Sequence, residues 1–574
     1  MPDPEPITPQ RSIAGYDDRR RSFLAQRVRE WREMGYPLRV EHEEWKFDEI
    51  CPCWSGAHAA LYLNAGKKEI AQANRWFEEC PIDWKIDPDM RVCEVLASYC
   101  TFLSRPEFSD RARARITEVI EKEPGPRRVY AEPFAFHATE NHAMMGHVWR
   151  LLGAQMRGDK EETRTITAAA TTSVTAHFRK GWLEFASPCY VEKEIGSLLM
   201  LAQWAEDAEL RRRARLCLDA VFAEYALLNL EQCFGSAAAR VYGDDRDQPE
   251  VNHNSRRDAS RDGTYSCGSL LFGHGEERFY GVLGSTLLAT SDYQPHPALV
   301  HAAIDRQALG EFEFRSRKPG YGQSAINNVD DAVAGDAVFN ARTYAYATPD
   351  FILASSREVN ARYGMCRGGM LSNRLIARGS PRKVVIVELG REAVDLFQHR
   401  GILIGRGIDT AAYLAHREFE AMHETANAIF LRDPAVFVAL RIVDGGYTWE
   451  GAKGPLLFGD YAHFQQGRSP FVLRAARPAD YGGDFDAFRA EAEAARITQE
   501  GEWLTYRGDI AAGGGKRESV TVRFQPGRPP RLEGGPLDFD TYPLFESPYL
   551  NSAWDSGVVE MSVGEHHMRL ALED

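Results

Sequence analysis

The sequence of 574 residues lacks the patterns that mark several common classes of protein. It contains no apolar run near the roughly 20 residues of a membrane-spanning helix, and its N-terminal stretch MPDPEPITPQRSIAGYDDRRRSFLAQ has no signal-peptide core. It also has no glycine-rich phosphate loop and no alternation of strands with helices, which argues against a nucleotide-binding α/β enzyme. We therefore expect a cytoplasmic protein without membrane contacts, or a periplasmic one if a leader has been removed.

An excess of basic charge and a framework of cysteines are missing as well. The 69 basic residues are outnumbered by 83 acidic ones, and the net charge of -14 argues against non-specific binding to nucleic acid. The ten cysteines are scattered, and the one close pair, Cys51 and Cys53, has no second pair at metal-binding spacing. We expect reduced thiols and no cofactor, and the sequence leaves open whether the chain forms a homo-oligomer.

What the sequence does contain is a change of hydrophobic period about three-fifths of the way along. Up to about residue 310, apolar residues recur at three- and four-residue intervals, as in HAMMGHVWRLLGAQM and IGSLLMLAQWAED. From about residue 336 they alternate or form short β-branched runs, as in KVVIVELG and VFVALRIV. We predict a multidomain α+β protein, with helical hairpins over residues 1–330 and an antiparallel β domain over residues 331–574.

One predicted helix begins with an unusual number of polar groups. Thr139 is its predicted N-cap, and Glu140 opens a first turn that also contains His142. His142 precedes Tyr190 by 48 residues, and Tyr190 precedes Arg240 by 50, so each interval fits one outgoing and one returning helix. The starts of adjacent hairpins lie at the same end of a stack. We therefore predict that five side chains meet at one mouth: Asn141, His142, Tyr190, Arg240 and Tyr242.

Further polar residues flank this predicted mouth. The stretch FGSAAARVYGDDRDQPEVNHNSRRDASRDG reads as a long loop, and it carries five arginines in an otherwise acidic chain. A guanidinium group binds a carboxylate through two parallel hydrogen bonds, so this loop suits an acidic ligand. The residues that we predict to contact substrate are Glu140, Trp182, Glu184, His253, Asn254 and Arg257.

Two motifs resemble a known group of enzymes. ENHAMMGHVW at residues 140–149, followed about fifty residues later by SPCYVEKEIGSLLMLAQWAED, resembles the Asn-His and Tyr segments of polysaccharide lyases with an (α/α) toroid. These are alginate lyases of that fold and the heparinase II/III-like group, whose multidomain members also place helices before an antiparallel β-sandwich. The resemblance implies an (α/α)n toroid in residues 1–330 and a β-sandwich in residues 331–574. It also implies a lyase that acts on an acidic oligo- or polysaccharide.

The chemistry of such a lyase assigns a role to each residue of the mouth. β-Elimination of a uronic-acid glycoside removes the proton α to the C6 carboxylate and expels the C4 oxygen. Asn141 and His142 are expected to donate hydrogen bonds to that carboxylate, because negative charge builds up on it. Tyr190 is expected to take the proton or to return one to the leaving oxygen. Since a free tyrosine has a pKa of about 10, a cation such as Arg240 must lie nearby.

Two other functions remain open from the sequence. An inverting glycoside hydrolase on the same toroid would use two separated carboxylates, and the glutamates near the mouth supply pairs. A non-catalytic glycan-binding protein would need none of these polar groups for chemistry. His416, His423 and Glu424 resemble the ligand supply of the structural zinc in some heparinase-like β domains, but their spacing matches no firm ligand pattern, and we predict no metal site.

Overall fold

The computed structural model describes most of the chain. The described residues are 8–41, 48–49, 51–79, 88–121, 140–241, 262–273, 283–319, 340–359, 370–388, 395–406, 410–451, 458–465, 469–511, 517–525, 528–533, 535–538 and 541–573. Within these ranges, helices come first and strands dominate from residue 312 onward.

The helices, in chain order, are α1 Pro9–Ala14, α2 Tyr16–Glu33, α3 Cys51–Leu63, α4 Lys67–Glu79, α5 Pro88–Phe102, α6 Asp110–Glu121, α7 Glu140–Arg157, α8 Lys160–Lys180, α9 Val191–Trp204, α10 Ala208–Leu227, α11 Gly263–Phe272, α12 Leu283–Thr290, α13 Pro297–Ile304, α14 Arg306–Leu309 and α15 Phe485–Ala494. Polar caps fix several of their starts. Asp159 accepts a hydrogen bond from Glu162 N before α8, and Asp207 accepts one from Leu210 N before α10.

The helices close into a ring of hairpins. Helices α3, α5, α7 and α9 contact one another in succession, and α12 contacts both α9 and α3, which completes an inner ring. Helices α4, α6, α8 and α10 each pack against the inner helix that precedes them. The inner helix α9 is buried over Val191–Leu201, as expected for a helix covered on all sides. The predicted toroid of helical hairpins is confirmed.

The strands, in chain order, are β1 Val40–Glu41, β2 Asp48–Glu49, β3 Asn229–Leu230, β4 Cys233–Phe234, β5 Ala238–Val241, β6 Phe312–Lys318, β7 Asn340–Ala347, β8 Phe351–Val359, β9 Met370–Ala377, β10 Val384–Glu388, β11 Asp395–His399, β12 Ile402–Arg406, β13 Ala411–Leu414, β14 Ala421–Glu424, β15 Ala428–Arg432, β16 Phe437–Ile442, β17 Tyr447–Gly451, β18 Asp460–Phe464, β19 Phe471–Ala476, β20 Arg496–Glu500, β21 Trp503–Ala511, β22 Arg517–Phe524, β23 Arg531–Leu532, β24 Gly535–Pro536, β25 Phe545–Glu546, β26 Leu550–Ser552, β27 Val558–Val563 and β28 His566–Ala571.

Three antiparallel sheets make up the β region. The largest has 13 strands in the order β17-β18-β13-β10-β9-β8-β7-β6-β25-β26-β27-β28, with β5 from the helical region paired to β9. A sheet of six strands has the order β11-β12-β19-β16-β15-β14, and a sheet of five has the order β20-β21-β22-β23-β24. The C-terminal strands therefore return to the sheet through β6, which is the first long strand of the chain.

Alternating side chains stack these sheets into layers. On the 13-stranded sheet, Ile352 and Ile376 pack with the helices, while Leu353 and Leu375 face the six-stranded sheet. The six-stranded sheet presents its other face, with Ile404, to the five-stranded sheet. Because successive side chains of a strand point to opposite faces, each sheet separates two cores. The predicted β-sandwich is confirmed, with helices on one side and a third sheet on the other.

The structure corrects one part of the sequence interpretation and leaves another untested. The stretch that starts at residue 234 was predicted to be a loop, but it begins with the last residue of β4 and contains β5. Strand β4 pairs with β3, and β5 pairs with β9, because the short apolar run there forms extended backbone. The boundary between residues 330 and 331 lies outside the described residues and stays a prediction, although β6 already pairs with β7.

Disulfides and membrane-spanning helices can be assessed for the described residues alone. Seven of the cysteines in these ranges form no disulfide, and five of the seven are buried. No helix in the same ranges has the length and apolar character needed to cross a bilayer.

Candidate active site

The segment of residues 181–190 joins α8 to α9 and connects several elements at one end of the ring. The carbonyl of Phe185 accepts a hydrogen bond from Ala239 N on β5, at 2.9 Å. The carbonyl of Pro188 accepts one from Gly263 N, at the first residue of α11, also at 2.9 Å. The start of α11 and the strand β5 therefore lie beside the start of α9.

Two buried glutamates hold the start of α7 against the same segment. Glu184 Oε2 accepts a hydrogen bond from Asn141 N at 3.0 Å, and Glu140 Oε2 accepts one from Glu184 N at 2.9 Å. Both side chains are at most 1% exposed. The first N–H groups of a helix have no intrahelical acceptor and carry partial positive charge, so a carboxylate there stabilises the helix start. This reciprocal pair, the Glu140–Glu184 clamp, fixes the backbone of Asn141.

His177 extends the clamp to α8. Its Nε2 lies 2.8 Å from Glu140 Oε1, and its Nδ1 lies 2.7 Å from the carbonyl of Ser173. Because a carbonyl only accepts, Nδ1 carries a proton, and the contact with Glu140 needs a second proton on the imidazole or on the carboxylate. The ring of Trp182 stacks on His177, with centroids 4.0 Å apart and planes at 25°. Trp182 is consequently only 8% exposed.

Tyr190 occupies the N-cap position of α9, as the sequence predicted for the helix mouth. It is half-buried, and its carbonyl accepts hydrogen bonds from Lys193 N and Glu194 N at 2.9 and 3.0 Å. Four residues earlier, Ala186 has φ 47°, a left-handed conformation that is strained for a residue with a Cβ. Strained backbone of this kind clusters at functional sites, since the surrounding contacts must hold it in place.

A buried ion pair beside Tyr190 is a feature that the sequence interpretation missed. Lys193 Nζ lies 2.5 Å from Glu192 Oε1, and Glu192 Oε2 accepts a hydrogen bond from Gly284 N at 2.9 Å. Glu192 is 3% and Lys193 9% exposed. The pair attaches the start of α12 to α9 and places a lysine one turn from Tyr190. Three consecutive charged residues, Glu192, Lys193 and Glu194, directly before the apolar stretch IGSLLML were the signal in the sequence.

Burial shifts the pKa of two titratable groups around this end of the ring. Burial, together with the nearby charges of Arg150 and His177, lowers the pKa of His147 on α7 to about 4. His147 is therefore neutral near pH 7. Burial raises the pKa of Asp262, the N-cap of α11, although Arg374 opposes the shift. Asp262 accepts hydrogen bonds from the N–H and hydroxyl of Thr264, at 2.8 and 2.6 Å.

Three carboxylates at this end come close enough together to hold a cation. One oxygen each from Glu140, Glu184 and Glu194 lies within 4.8 Å of the others, and all three residues are buried. Glu140 and Glu184 each already accept a hydrogen bond from a backbone N–H through one oxygen, so these carboxylates stabilise the fold even without a cation. Among the described residues this is the one such group, and His416, His423 and Glu424 do not form another. Glu424 instead accepts hydrogen bonds from Tyr447 and Trp449.

The structure brings some predicted site residues together and leaves others outside its description. Asn141, His142 and Tyr190 lie at the joined starts of α7 and α9, and Arg240 lies on β5 next to Ala239. Four predicted residues lie outside the described ranges: Tyr242, His253, Asn254 and Arg257. The catalytic and substrate-binding roles stay predictions. Glu140, Glu184 and Trp182, predicted to contact substrate, are buried; the two glutamates accept hydrogen bonds from backbone N–H groups, and Trp182 stacks on His177.

No family model and no curated protein matches this sequence. The chondroitin AC lyase of Streptomyces coelicolor A3, solved with chondroitin sulphate, matches over 100% of this chain and 95% of that chain, at 11% identity and a TM-score of 0.42. A second chondroitinase AC lyase matches over 98% of each chain, at 8% identity and a TM-score of 0.42. Heparinase III matches over 82% of each chain, at 9% identity and a TM-score of 0.38. These three solved structures are polysaccharide lyases, the group of enzymes that the sequence motifs resemble.

Proposed function

We propose that this protein is a carbohydrate-active lyase that cleaves a uronic-acid-containing poly- or oligosaccharide by β-elimination. The observation that carries the proposal is the junction made by residues 181–190. This segment joins the starts of α7, α9 and α11 to strand β5, so that Asn141, His142 and Tyr190 share one end of the helical ring. An amide, an imidazole and a phenol at one mouth are the groups that the reaction requires.

Binding of the substrate carboxylate is the first task of this mouth. The side chains of Asn141 and His142 supply an amide and an imidazole that can donate hydrogen bonds to it. The N-terminal ends of three helices meet at the same place, and each favours a negative charge. These donors stabilise the extra negative charge that develops on the carboxylate when the neighbouring C–H proton leaves.

Tyr190 is the residue that transfers the proton in this proposal. The phenolate takes the proton α to the C6 carboxylate, the electron pair forms the C4–C5 double bond as the C4–O bond breaks, and the phenol so formed returns its proton to the leaving C4 oxygen. A cation near the phenol lowers its pKa and makes the phenolate available. Lys193, one turn along α9, joins Arg240 as a candidate for this role. A positioned acid or base of this kind contributes roughly a hundred- to ten-thousand-fold to the rate.

The geometry disfavours the glycoside hydrolase alternative. A hydrolase needs one carboxylate that activates a water and another that protonates the leaving oxygen. The four glutamates near the mouth are all buried, with exposures of 0–3%: Glu140, Glu184, Glu192 and Glu194. Three of them hold backbone N–H groups, so their oxygens are committed to the fold.

Substitution of Tyr190 by phenylalanine tests the proposal. The variant loses one hydroxyl, so we expect an unchanged fold and a loss of at least about a hundredfold in kcat. The matched control is Tyr62→Phe, a partly buried tyrosine near the C-terminal end of α3. Activity of Tyr190→Phe equal to that of the control would refute a lyase that uses Tyr190. Loss of activity in Glu140→Gln with full activity in Tyr190→Phe would favour the hydrolase.

A further inference from the structure

Two exposed apolar side chains lie on edge strands of the two larger sheets. Trp449 on β17 is 37% exposed, and Met422 on β14 is 36% exposed. Every other tryptophan in the described residues is buried or half-buried. In the described part of the chain, β17 ends the 13-stranded sheet and β14 ends the six-stranded sheet. This edge of the sandwich therefore carries exposed apolar groups from both sheets.

Both strands turn these side chains toward the core between the two sheets. Trp449 lies directly opposite Ala462 on β18, and Met422 lies directly opposite Leu431 on β15. Residues that face each other in an antiparallel pair place their side chains on the same face. Ala462 and Leu431 belong to the core between the two sheets. Trp449 and Met422 therefore continue that core to the surface, where solvent reaches it.

Glu424 on β14 joins the two edge strands and fixes the indole. Its Oε1 accepts a hydrogen bond from Trp449 Nε1 at 2.7 Å and another from the Tyr447 hydroxyl at 2.8 Å. The rings of Tyr447 and Trp449 have centroids 5.6 Å apart and planes at 84°. Burial and the Glu424 carboxylate raise the pKa of Tyr447, so the phenol keeps its proton and donates. The indole is thus oriented before any ligand binds.

His416 adds a third ring to this corner. Its ring centroid lies 5.6 Å from that of Trp449, with the planes at 51°. Its Nε2 lies 3.5 Å from Asp460 Oδ2, and Arg417 pairs with the same oxygen at 2.9 Å. The imidazole is therefore held by the protein and supports the indole. The groups that the corner offers to a ligand are an aromatic surface and the Glu424 carboxylate.

The position of the carboxylate indicates the chemistry of the ligand. Glu424 is exposed, and its Oε2 has no hydrogen-bond or ion-pair partner within the described residues. The carboxylate lies at the edge of the indole, beside its N–H, and not over the ring face. Aromatic faces carry partial negative charge and attract C–H groups. A pyranose ring matches this arrangement, because its faces carry C–H groups and its rim carries hydroxyls that donate hydrogen bonds.

Charge selects among the sugars. The nearby carboxylates have basic partners, since Glu450 lies 2.9 Å from His463 and Glu420 lies 3.7 Å from Arg432. Glu424 has no such basic partner among the described residues. A uronate bound here would place a second negative charge beside Glu424, and like charges repel. The corner therefore favours a neutral sugar, whereas the proposed substrate of the helical mouth is acidic.

We propose that this edge of the sandwich binds a neutral pyranose unit of a glycan, stacked on Trp449 and hydrogen-bonded to Glu424. Tyr447 and His416 hold the indole in place. Met422, two residues from Glu424 on the same face of β14, adds apolar surface. The sugar would remove exposed apolar area from water, which favours binding. The site needs no uronic acid and does not depend on the lyase reaction, so it goes beyond the proposed function.

Saturation-transfer NMR and titration calorimetry with neutral hexasaccharides test the proposal on the full chain. The probes are cellohexaose, mannohexaose and xylohexaose, which lack the carboxylate that β-elimination requires. We expect at least one of them to bind the wild-type protein and Trp449→Ala to raise its Kd at least about tenfold. The control is Trp503→Ala, because Arg523 and Arg531 cover that ring at 5.0 and 5.5 Å from its centroid. It should bind as the wild type does.

Further variants separate the ring, the charge and the fold. Trp449→Phe keeps an aromatic face and should bind within about fivefold of the wild type. If Trp449→Ala does not fold, Trp449→Leu keeps an apolar side chain without an aromatic face and should show the same loss. Glu424→Gln keeps an accepting oxygen without the charge, so it should retain the neutral hexasaccharide and bind its C6-oxidised, uronate form more tightly than the wild type does.

Choline is the competing probe, since a small cation also binds aromatic faces beside a carboxylate. A wild-type protein that binds none of the three hexasaccharides would overturn the proposal, whether or not it binds choline. Hexasaccharide binding that is unchanged in both Trp449→Ala and Trp449→Leu would overturn it as well. Because these probes contain no uronate, either result would leave the proposed lyase reaction to its own test.

Discussion

Replacement of Glu184 by alanine is expected to loosen the start of α7. The carboxylate of Glu184 accepts the hydrogen bond of Asn141 N at 3.0 Å in a fully buried position. Removal of this acceptor leaves a buried N–H unsatisfied, which costs about 1–3 kcal/mol. One buried methylene group, Cγ, is also lost, at about 0.8 kcal/mol. The expected decrease in the free energy of unfolding is therefore about 2–4 kcal/mol.

Glu184→Gln keeps the size of the side chain and an accepting oxygen, so it tests which part of the stability loss in Glu184→Ala comes from these two features. Glutamine has nearly the same shape, and its amide oxygen can still accept from Asn141 N, so we expect a decrease of less than about 1 kcal/mol. The alanine variant is also expected to lose about a hundredfold in kcat/KM, because a displacement of about 1 Å in a catalytic group has an effect of that size. The assays are urea unfolding and the rate of double-bond formation.

A surface control and two results decide the interpretation of these variants. Glu206 is exposed in the turn before α10, and Glu206→Ala is expected to change neither quantity. Unfolding of Glu184→Ala at the urea concentration of the wild type would refute the clamp. A glutamine variant as unstable as the alanine variant would show that charge, and not the accepting oxygen, holds α7.

Three further predictions concern stability. Burial lowers the pKa of His58 to about 3 and that of His147 to about 4, so below about pH 6.5 the unfolded chain binds protons that the folded chain excludes. The free energy of unfolding should be constant above about pH 6.5 and should be lower by about 2 kcal/mol per histidine at pH 5. Urea unfolding at pH 7 and pH 5 measures this difference. Lys318→Met leaves the part-buried carboxylate of Glu224 without its 2.6 Å partner and should cost about 3 kcal/mol, while the double variant Lys318→Met with Glu224→Leu should recover most of it in a double-mutant cycle. Gly284→Ala places a Cβ 2.3 Å from a backbone carbonyl of α9 and should lower Tm through a cost of about 1–3 kcal/mol, and an unchanged Tm would contradict this packing.

The period of the hydrophobic pattern predicted that the helical region precedes the β region, because this period depends only on the residues within each helix or strand. The stretch HAMMGHVWRLLGAQM lies within α7, and KVVIVELG contains β10. The hairpin interval of 48 residues also predicted that the starts of α7 and α9 lie at the same end, since one outgoing and one returning helix bring the chain back there. These inferences needed only local pattern and the length of a helix.

Contacts between distant segments could not be predicted in this way. Arg240 lies on a strand because residues 238–241 pair with β9, more than a hundred residues later, and no local signal marks that pairing. The glutamates of the clamp were predicted to contact substrate because they lie near the predicted mouth in the sequence, and a charged residue is rarely fully buried unless it is paired. Their burial depends on the helix N–H groups and on His177, which only the folded chain brings together.

Ultraviolet absorbance and reducing ends, measured in parallel on a panel of uronate polymers and their oligomers, test the central claim most directly. β-Elimination creates one conjugated double bond for each new reducing end, so the two signals should rise together in the wild type and vanish together in Tyr190→Phe. Reducing ends that accumulate without absorbance would contradict a lyase and indicate hydrolysis at the same mouth.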